Sequence, residues 1–328
     1  RAALWYPGYT RIVKTGGEVR DLTLWLSGKA ESGPSMAMAA AIALPVAAQP
    51  PRVDLRRDAH RLELDVTVRV EKGRTYDFTK YVALSRAGWG GDAAQDLELA
   101  RGARRRGFDR LAGAQRAAWR ALWQPDIVIQ GDPRAQQVAH AQLYYLLASV
   151  TADTAWATGP CGLTLCYAGH VFWDSDTWMF PALLLLHPRR AESIVAFRER
   201  TLGAARERAR RYGYRGAMYP WESDPQKGME QIPYSAHLLS DTENHVNSEV
   251  AIAQWQYYLA TGDRGWLRAH GWPVIRAVAR FWASRVVYDA QRKRYDILHV
   301  TSVAESNADI HDDTFTNLGA AKALDIAT

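Results

Sequence analysis

GHVFWDSDTWMFPALLLLHP, residues 169–188, sets two carboxylates, Asp174 and Asp176, among the rings of Phe172, Trp173, Trp178 and Phe180. An apolar run follows at once and closes on His187 and Pro188, the mark of a short helix ended by a proline stop. The reading of the acidic-aromatic half decides more than local structure. Aromatic faces stack on the apolar face of a pyranose, and carboxylates accept hydrogen bonds from its hydroxyls, so charge set against ring is the chemistry of a sugar-binding cleft. The competing reading is structural: Asp174 or Asp176 caps a helix N-terminus while Trp178, Met179 and Phe180 enter a core.

Three further loops repeat the theme downstream. AMYPWESD, residues 217–224, puts Trp221 beside Glu222. SDTENHVNSE, residues 240–249, gathers Asp241, Glu243, His245, Asn247 and Glu249 ahead of the apolar AIAQWQYYLA. VTSVAESNADIHDDTFTN, residues 300–317, gathers Glu305, Asn307, Asp309, His311, Asp312 and Asp313. Each has a structural alternative. Asp241 and one of Asp312 and Asp313 suit helix caps, His245 suits a hydrogen-bonded loop position, and Glu222 suits a core-edge carboxylate paired with an arginine.

Farther out, the periodicity changes once along the chain. Before about residue 90 it is two: Leu22, Leu24 and Leu26 alternate with other residues, and RLELDVTVRV alternates Leu62, Leu64, Val66, Val68 and Val70 with polar ones, as half-buried antiparallel strands do. EKGR, residues 71–74, reads as a turn into a strand over 76–84. From Asp92 the spacing becomes helical, with Leu97, Leu99, Phe108, Leu111 and Trp119 three to four apart. Asp132 followed by Pro133 is a cap and first-turn proline. Helices are expected at about 133–151, 177–187, 189–211, 243–261, 265–286 and 313–328, with the chemical residues in the joining loops. That organisation predicts a mainly α chain built as an α/α barrel or toroid, preceded by the tail of an antiparallel β-sandwich. The boundaries expected are 1–90 for the sandwich, 91–131 for a helical linker and 132–328 for a partial barrel.

A chain of 328 residues that is 48% apolar is long enough for two packed domains. Its net charge of +6 comes mostly from arginines dispersed along the sequence, the pattern of solvated helix faces; no nucleic-acid partner is expected. Met36 to Ala48 imitates the apolar core of a signal peptide, but a strand-like stretch precedes it, and thirteen residues cannot span a bilayer as a helix. It is read as a buried strand pair or interior loop, with no membrane partner. Cys161 and Cys166, in GPCGLTLC, suit either a small disulfide or two free thiols, and the compartment stays open. The chain opens on Arg1, and its last helical pattern still runs at the end, so it reads as a fragment lacking both ends.

No cofactor or metal is expected. His245 and His311 lack the spacing of a recognised metal-ligand pattern, there is no Gly-x-Ser-x-Gly elbow, no cysteine beside a histidine and no phosphate-cradling glycine motif. Acid–base work by carboxylates in an aromatic cleft remains, and glycosidic bonds are commonly broken that way.

The blocks GHVFWDSDTWMFP, LLLLHP, GAMYPWESD, HVNSEVAIAQWQYYLATGD and FWASRV, in this order, closely resemble glycoside hydrolase family 65, whose blocks read roughly GHxFWDxE, YPWES and HxxADI. The resemblance runs from about Trp119 to the last residue. It implies an (α/α)6 barrel and either an inverting hydrolase or an inverting disaccharide phosphorylase. Asp176 stands where the phosphorylases usually show Glu, and GWPVIRAVARFWASRV looks like the version in the glucosidase that trims glucosylgalactosyl-hydroxylysine, so the chain is placed nearer to the hydrolases, that glucosidase and the acid trehalases among them.

Carried over by position, the resemblance implies that Phe172, Trp173 and Asp174 hold the non-reducing sugar, that Trp221 and Glu222 line the same pocket, and that His245 and Asn247 belong to the substrate-binding block. Glu305 stands at the family's general acid, although the surrounding PDEYH-like loop is altered to Val303, Ala304, Ser306 and Asn307. On this reading Glu305 is expected to be protonated in an apolar, indole-walled site, with Asp313 the next choice of acid. The second agent of inversion, a water activated by a base or a phosphate, is expected beyond residue 328. An oligosaccharide or disaccharide is the expected partner, a homodimer is left open by the habit of relatives, and a carbohydrate-binding relative without turnover is the reading outside enzymology.

Overall fold

The structure, a computed structural model, describes residues 10–30, 35–46, 49–58, 61–86, 92–162, 166–231 and 241–328. The chain forms two compact units, Arg1–Trp123 and Gln124–Thr328. It is mainly helical, with antiparallel sheets.

In the first unit, β1 (Thr10–Glu18), β2 (Thr23–Ala30), β3 (Ser35–Ala43) and β6 (Thr79–Arg86) make one antiparallel sheet in the order β1-β2-β3-β6, and β4 (Arg52–Arg57) pairs with β5 (Leu62–Thr67). The segment read as a strand pair or interior loop is the single strand β3. Its alternation is hidden in the sequence because both faces are apolar: Ala37, Ala39 and Ala41 are buried while Met38 between them is exposed. Residues 47 and 48 of that segment lie outside the described residues. The strand expected over 76–84 begins later, at Thr79. Helix α1 (Ala93–Arg106) lays Ala100 against Ala39 and Ala41, and α2 (Phe108–Leu122) follows after Gly107, whose φ of +81° breaks what the periodicity alone joins.

The second unit holds α3 (Pro133–Ser149), α4 (Phe180–Leu186), α5 (Pro188–Arg200), α6 (Leu202–Arg211), α7 (Val246–Thr261), α8 (Trp272–Arg285) and α9 (Thr314–Ile326). Asp132 caps α3 as expected, accepting from the Ala135 N–H at 2.9 Å. The helix read as 189–211 is two, because the chain turns out of helical geometry at Thr201. Two wide π-helical turns, Ser175–Met179 and Leu267–Gly271, precede α4 and α8, each of which carries proline in its first turn. Proline has no N–H to donate and crowds the carbonyl four residues back, so the turn before it opens.

Helix α7 is buried nearly all round, from Val246 through Ala251 to Tyr257, and packs against α5, α8 and α9. Helix α9 supplies Thr316, Ala320, Ala323 and Ile326 at helical spacing, and Gly319 allows close approach: a Cβ there meets the Ser248 Cβ at 2.9 Å. Phe281 and Trp282 of α8 are fully buried, each stabilising the unit by about 1.5–3 kcal/mol through removal of apolar surface from water. The same core includes Phe172, Trp173 and Trp221, so the candidate site grows directly out of the best-packed region.

Candidate active site

A ladder of two residues per strand joins the first two motifs. Strand β7 (Val171–Phe172) pairs antiparallel with β8 (Glu222–Ser223), setting Phe172 opposite Glu222. The Phe172 and Trp221 rings meet edge to face at 5.0 Å, and Tyr167 meets Phe172 likewise at 4.8 Å. Glu222 is buried. One of its oxygens bonds to His170 Nδ1 at 2.5 Å, and the other, Oε2, has no partner among the described residues. His170 carries no role in the sequence reading, although it lies within the GHVFWD block.

Past Trp173 the two aspartates part company. Asp176 is fully enclosed and accepts from Arg198 Nε at 3.0 and 3.2 Å, while Arg198 Nη2 also donates to the Phe172 carbonyl at 3.2 Å. Asp174 has helical backbone angles and makes no cap bond. Neither aspartate therefore caps a helix. Burial lifts the Asp174 carboxyl above its usual range, a bond to its own backbone opposes this, and the charges of Glu305 and Asp176 add to the rise. Trp173 is buried with its ring 5.9 Å from that of Trp178, which is 61% exposed.

Under Trp173 lies His245, with no exposed surface. Its Nε2 faces Glu243 Oε1 at 2.9 Å and its Nδ1 faces Glu249 Oε1 at 3.3 Å. The imidazole meets Trp173 and Phe315 edge to face at 5.0 and 5.2 Å. Burial pushes the imidazole down, but the two carboxylates overcome it and lift it to about 9. Burial also raises Glu243 to about 7, against the pull of His245 and with the charges of Glu305 and Glu249 adding to it. Asn247 is equally enclosed: its Oδ1 accepts from the Tyr219 N–H at 2.6 Å and its Nδ2 donates to the Asn244 carbonyl at 2.8 Å. His245 and Asn247 thus spend their polar atoms on protein and reach no open surface. Spacing alone cannot distinguish a residue that touches ligand from one that supports its neighbours.

Glu305 sits at the tip of a turn closed by Ser302 N–H to Asn307 O at 3.0 Å and Asn307 N–H to Ala304 O at 2.8 Å. Thr301 N–H donates to Thr242 O at 3.1 Å, and the two threonine hydroxyls meet at 2.7 Å, fastening this loop to the segment bearing Glu243. The Glu305 side chain is exposed, and among the described residues it has no hydrogen-bond or ion-pair partner. The apolar, indole-walled setting expected for it is therefore not what surrounds it; its charge nonetheless bears on both Asp174 and Glu243. Asp313 is occupied as the cap of α9, accepting from Thr316 N–H at 2.9 Å, and Asp312 accepts from Ile297 N–H at 2.9 Å.

Cys161 is disulfide-bonded, which decides between the bridge and free thiols; residues 163–165 and the Cys166 side chain lie outside the described residues. Among the described residues no group of three or more His, Cys, Asp and Glu side chains is arranged to hold a metal ion, and no helix is long and apolar enough to cross a membrane.

With this geometry in hand, residues 140–328 match the model of the glycosyl hydrolase family 65 central catalytic domain. The chain belongs to glycosyl hydrolase family 65. Within the family it is similar to a kojibiose hydrolase of Flavobacterium johnsoniae, 41% identical over 83% of this chain and 39% of that protein. It is also similar to a protein-glucosylgalactosylhydroxylysine glucosidase of Dictyostelium discoideum, 36% identical over 64% of this chain and 30% of that protein. The fold is similar to that of a solved structure, a putative kojibiose phosphorylase from human microbiome, with a TM-score of 0.83 at 19% identity over 97% of this chain and 42% of that one. The chain spans less than two fifths of the length of the curated relatives named here.

Proposed function

We propose that this family 65 chain is part of an inverting glycoside hydrolase acting on an α-glucoside or disaccharide. In this reading residues 1–90 end a β-sandwich, 91–131 are a helical linker, and 132–328 form part of an (α/α)6 barrel. Phe172, Trp173, Asp174, Trp221 and Glu222 surround the sugar, and Glu305 is the general acid. One observation carries the assignment: an exposed, unpartnered carboxyl, Glu305, is near enough to Asp174, beside the Trp173 floor, for its charge to raise the Asp174 carboxyl. A donor to a glycosidic oxygen needs a carboxyl that is not already committed to other partners and stands within reach of the sugar. Glu222 Oε2 is buried and has no partner among the described residues, an acceptor that a sugar hydroxyl would satisfy on reaching it. His245 and Asn247 act behind this layer, through Trp173 and Tyr219.

The base that activates water in such an inversion is assigned to none of the described residues. Similarity to a kojibiose hydrolase makes kojibiose the first substrate to try. Assay of the protein in its full length on kojibiose, trehalose, nigerose and maltose, with and without phosphate, tests the reading. Glucose released without phosphate supports it, glucose 1-phosphate replaces it with phosphorolysis, and binding without turnover replaces it with a carbohydrate-binding role. A Glu305→Gln variant that keeps full activity refutes the choice of acid.

A further inference from the structure

The block FWASRV ends α8 on Arg285, which no step of the proposed reaction touches. An arginine in the last turn of a helix ordinarily reaches into water while its charge complements the final carbonyls. Arg285 instead turns inward and is 8% exposed. Its Nε donates to Asn244 Oδ1 at 2.8 Å, and its Nη2 donates to the Leu298 carbonyl and, at 3.4 Å, to that of His299. The guanidinium also lies 5.6 Å from the centre of the Tyr214 ring. Among the described residues no carboxylate pairs with it, and burial pushes it below its usual range. A cation taken out of water and met only by neutral acceptors is costly, so a core built for stability alone has little use for one here.

The acceptors belong to two segments far apart in sequence. Asn244 stands between Glu243 and His245 and shapes the chain around them. Its N–H donates to the Thr242 carbonyl at 2.8 Å, its Nδ2 donates to the Asp241 carbonyl at 3.2 Å, and its carbonyl accepts from Asn247 Nδ2 at 2.8 Å. The next residue, His245, lies under Trp173. Leu298 and His299 begin the loop whose sides bridge at Val300 and Ile310 and whose tip bears Glu305. His299 and Asp309, at the root of this loop, both have φ of +54°, left-handed values that a residue with a Cβ keeps only where its surroundings fix them. The His299 N–H donates to His311 Nδ1 at 3.0 Å, its imidazole faces Asp309 Oδ1 at 2.7 Å, and Arg285 takes its carbonyl.

We propose that Arg285 is a positioning residue for the reaction: anchored on Asn244, it holds the root of the Glu305 loop in register with the segment beneath Trp173, and so sets where the acid meets the leaving oxygen. The inference rests on the assignment of Glu305 as the acid. A guanidinium suits the task because its planar fork reaches Asn244 from one nitrogen and the loop carbonyls from another, whereas an ammonium has a single nitrogen to offer. A second tie, from Thr301 N–H to Thr242 O at 3.1 Å and between the two threonine hydroxyls at 2.7 Å, remains when Arg285 is replaced, so the loop is loosened and not detached.

The test compares two substrates of the full-length protein. Kojibiose, or the other disaccharide it turns over, gives up a sugar oxygen that must be protonated as its bond to the anomeric carbon breaks. In α-glucosyl fluoride water attacks that carbon and fluoride leaves as the anion, so no proton is asked of Glu305. Arg285→Lys keeps the charge and loses the fork. It is expected to lower kcat/KM on the disaccharide by roughly ten- to a hundredfold while fluoride hydrolysis stays within about twofold of wild type. Asn244→Ala removes the anchor and is expected to shift the ratio of the two rates in the same direction, which keeps the test decisive if the lysine variant does not fold. An equal loss on both substrates is what a merely structural arginine gives and overturns the proposal, as does an unchanged ratio. Glu305→Gln separates the two layers. If it still turns over the disaccharide, the assignment of the acid fails and the proposal with it; if it is active on the fluoride alone, an unchanged ratio in Arg285→Lys sinks only the role of Arg285.

Discussion

Asp176 is held by the Arg198 guanidinium with almost no exposure on either side, while Asp174, two residues earlier in the same motif, has no cation paired with it among the described residues. The pair fixes the turn that follows Trp173, since Arg198 also reaches the Phe172 carbonyl. Removing one partner of a buried pair strands the other's charge. Arg198→Met is therefore expected to lower unfolding stability by about 3–5 kcal/mol in denaturant titration, with Asp176→Leu in the same chain recovering most of the loss.

Glu222 offers a different kind of expectation. Its Oε1 is taken by His170 and its Oε2 has no partner among the described residues, so a sugar hydroxyl that reaches it gains a charge-assisted bond. Glu222→Ala removes about 1.5–3 kcal/mol of binding, which is about ten- to a hundred-fold in kcat/KM. His170→Ala, which frees the carboxylate to turn away, is expected to raise KM more than it lowers kcat. Steady-state kinetics on the best substrate reads both.

How much of this was legible in the sequence depended on whether a residue's role shows in its neighbours. The ring-beside-acid pairs Trp173–Asp174 and Trp221–Glu222 stood out in the sequence, and the β7–β8 ladder brings their segments together. Helix existence was readable from spacing, but Thr201 and Gly107 interrupt it through backbone geometry that apolar periodicity does not encode. The strand β3 was obscured because alanine and methionine are apolar on both faces, so the burial alternation has no polar counterpart. His245 and Asn247 carried residue types suited to a ligand, yet tertiary packing turned both inward. The signal for Glu243 was present, two residues before His245 in TENHV, but spacing of two does not say that an acid and an imidazole will meet.

The charge state of His245 has a consequence for stability that can be signed. Its folded value is about 9 against the usual 6.5, so the fold binds more protons than the unfolded chain between those limits. The contribution is fully present below about pH 6.5 and is lost as pH rises through about 9. A change of roughly 2–3 kcal/mol across that window is expected from this group. His245→Gln should flatten the fall in melting temperature between pH 6.5 and 9 relative to wild type, and parallel curves for the two proteins would contradict the raised His245 imidazole.

Delivery of Trp221 and Glu222 to the ladder depends on how closely the chain passes α8 a few residues earlier. Gly216 has a φ of +76°, and a Cβ there meets the Ala277 carbonyl oxygen at 2.1 Å and the Phe281 nitrogen at 2.6 Å. Ala217 N–H then donates to that same carbonyl at 3.0 Å, so the close pass is part of the hydrogen-bond pattern and cannot relax cheaply. Gly213 has nearly the same φ, +78°, with nothing within 4 Å of the added carbon. The two positions share backbone strain and differ only in the clash. Gly213→Ala is expected to cost about 1–2 kcal/mol from the left-handed backbone alone, and Gly216→Ala clearly more, with a loss of turnover as the Trp221–Glu222 segment is displaced from Phe172. Equal costs for the two substitutions in parallel denaturant titrations would show that the segment can move away from α8 without penalty, and that the ladder does not depend on this contact.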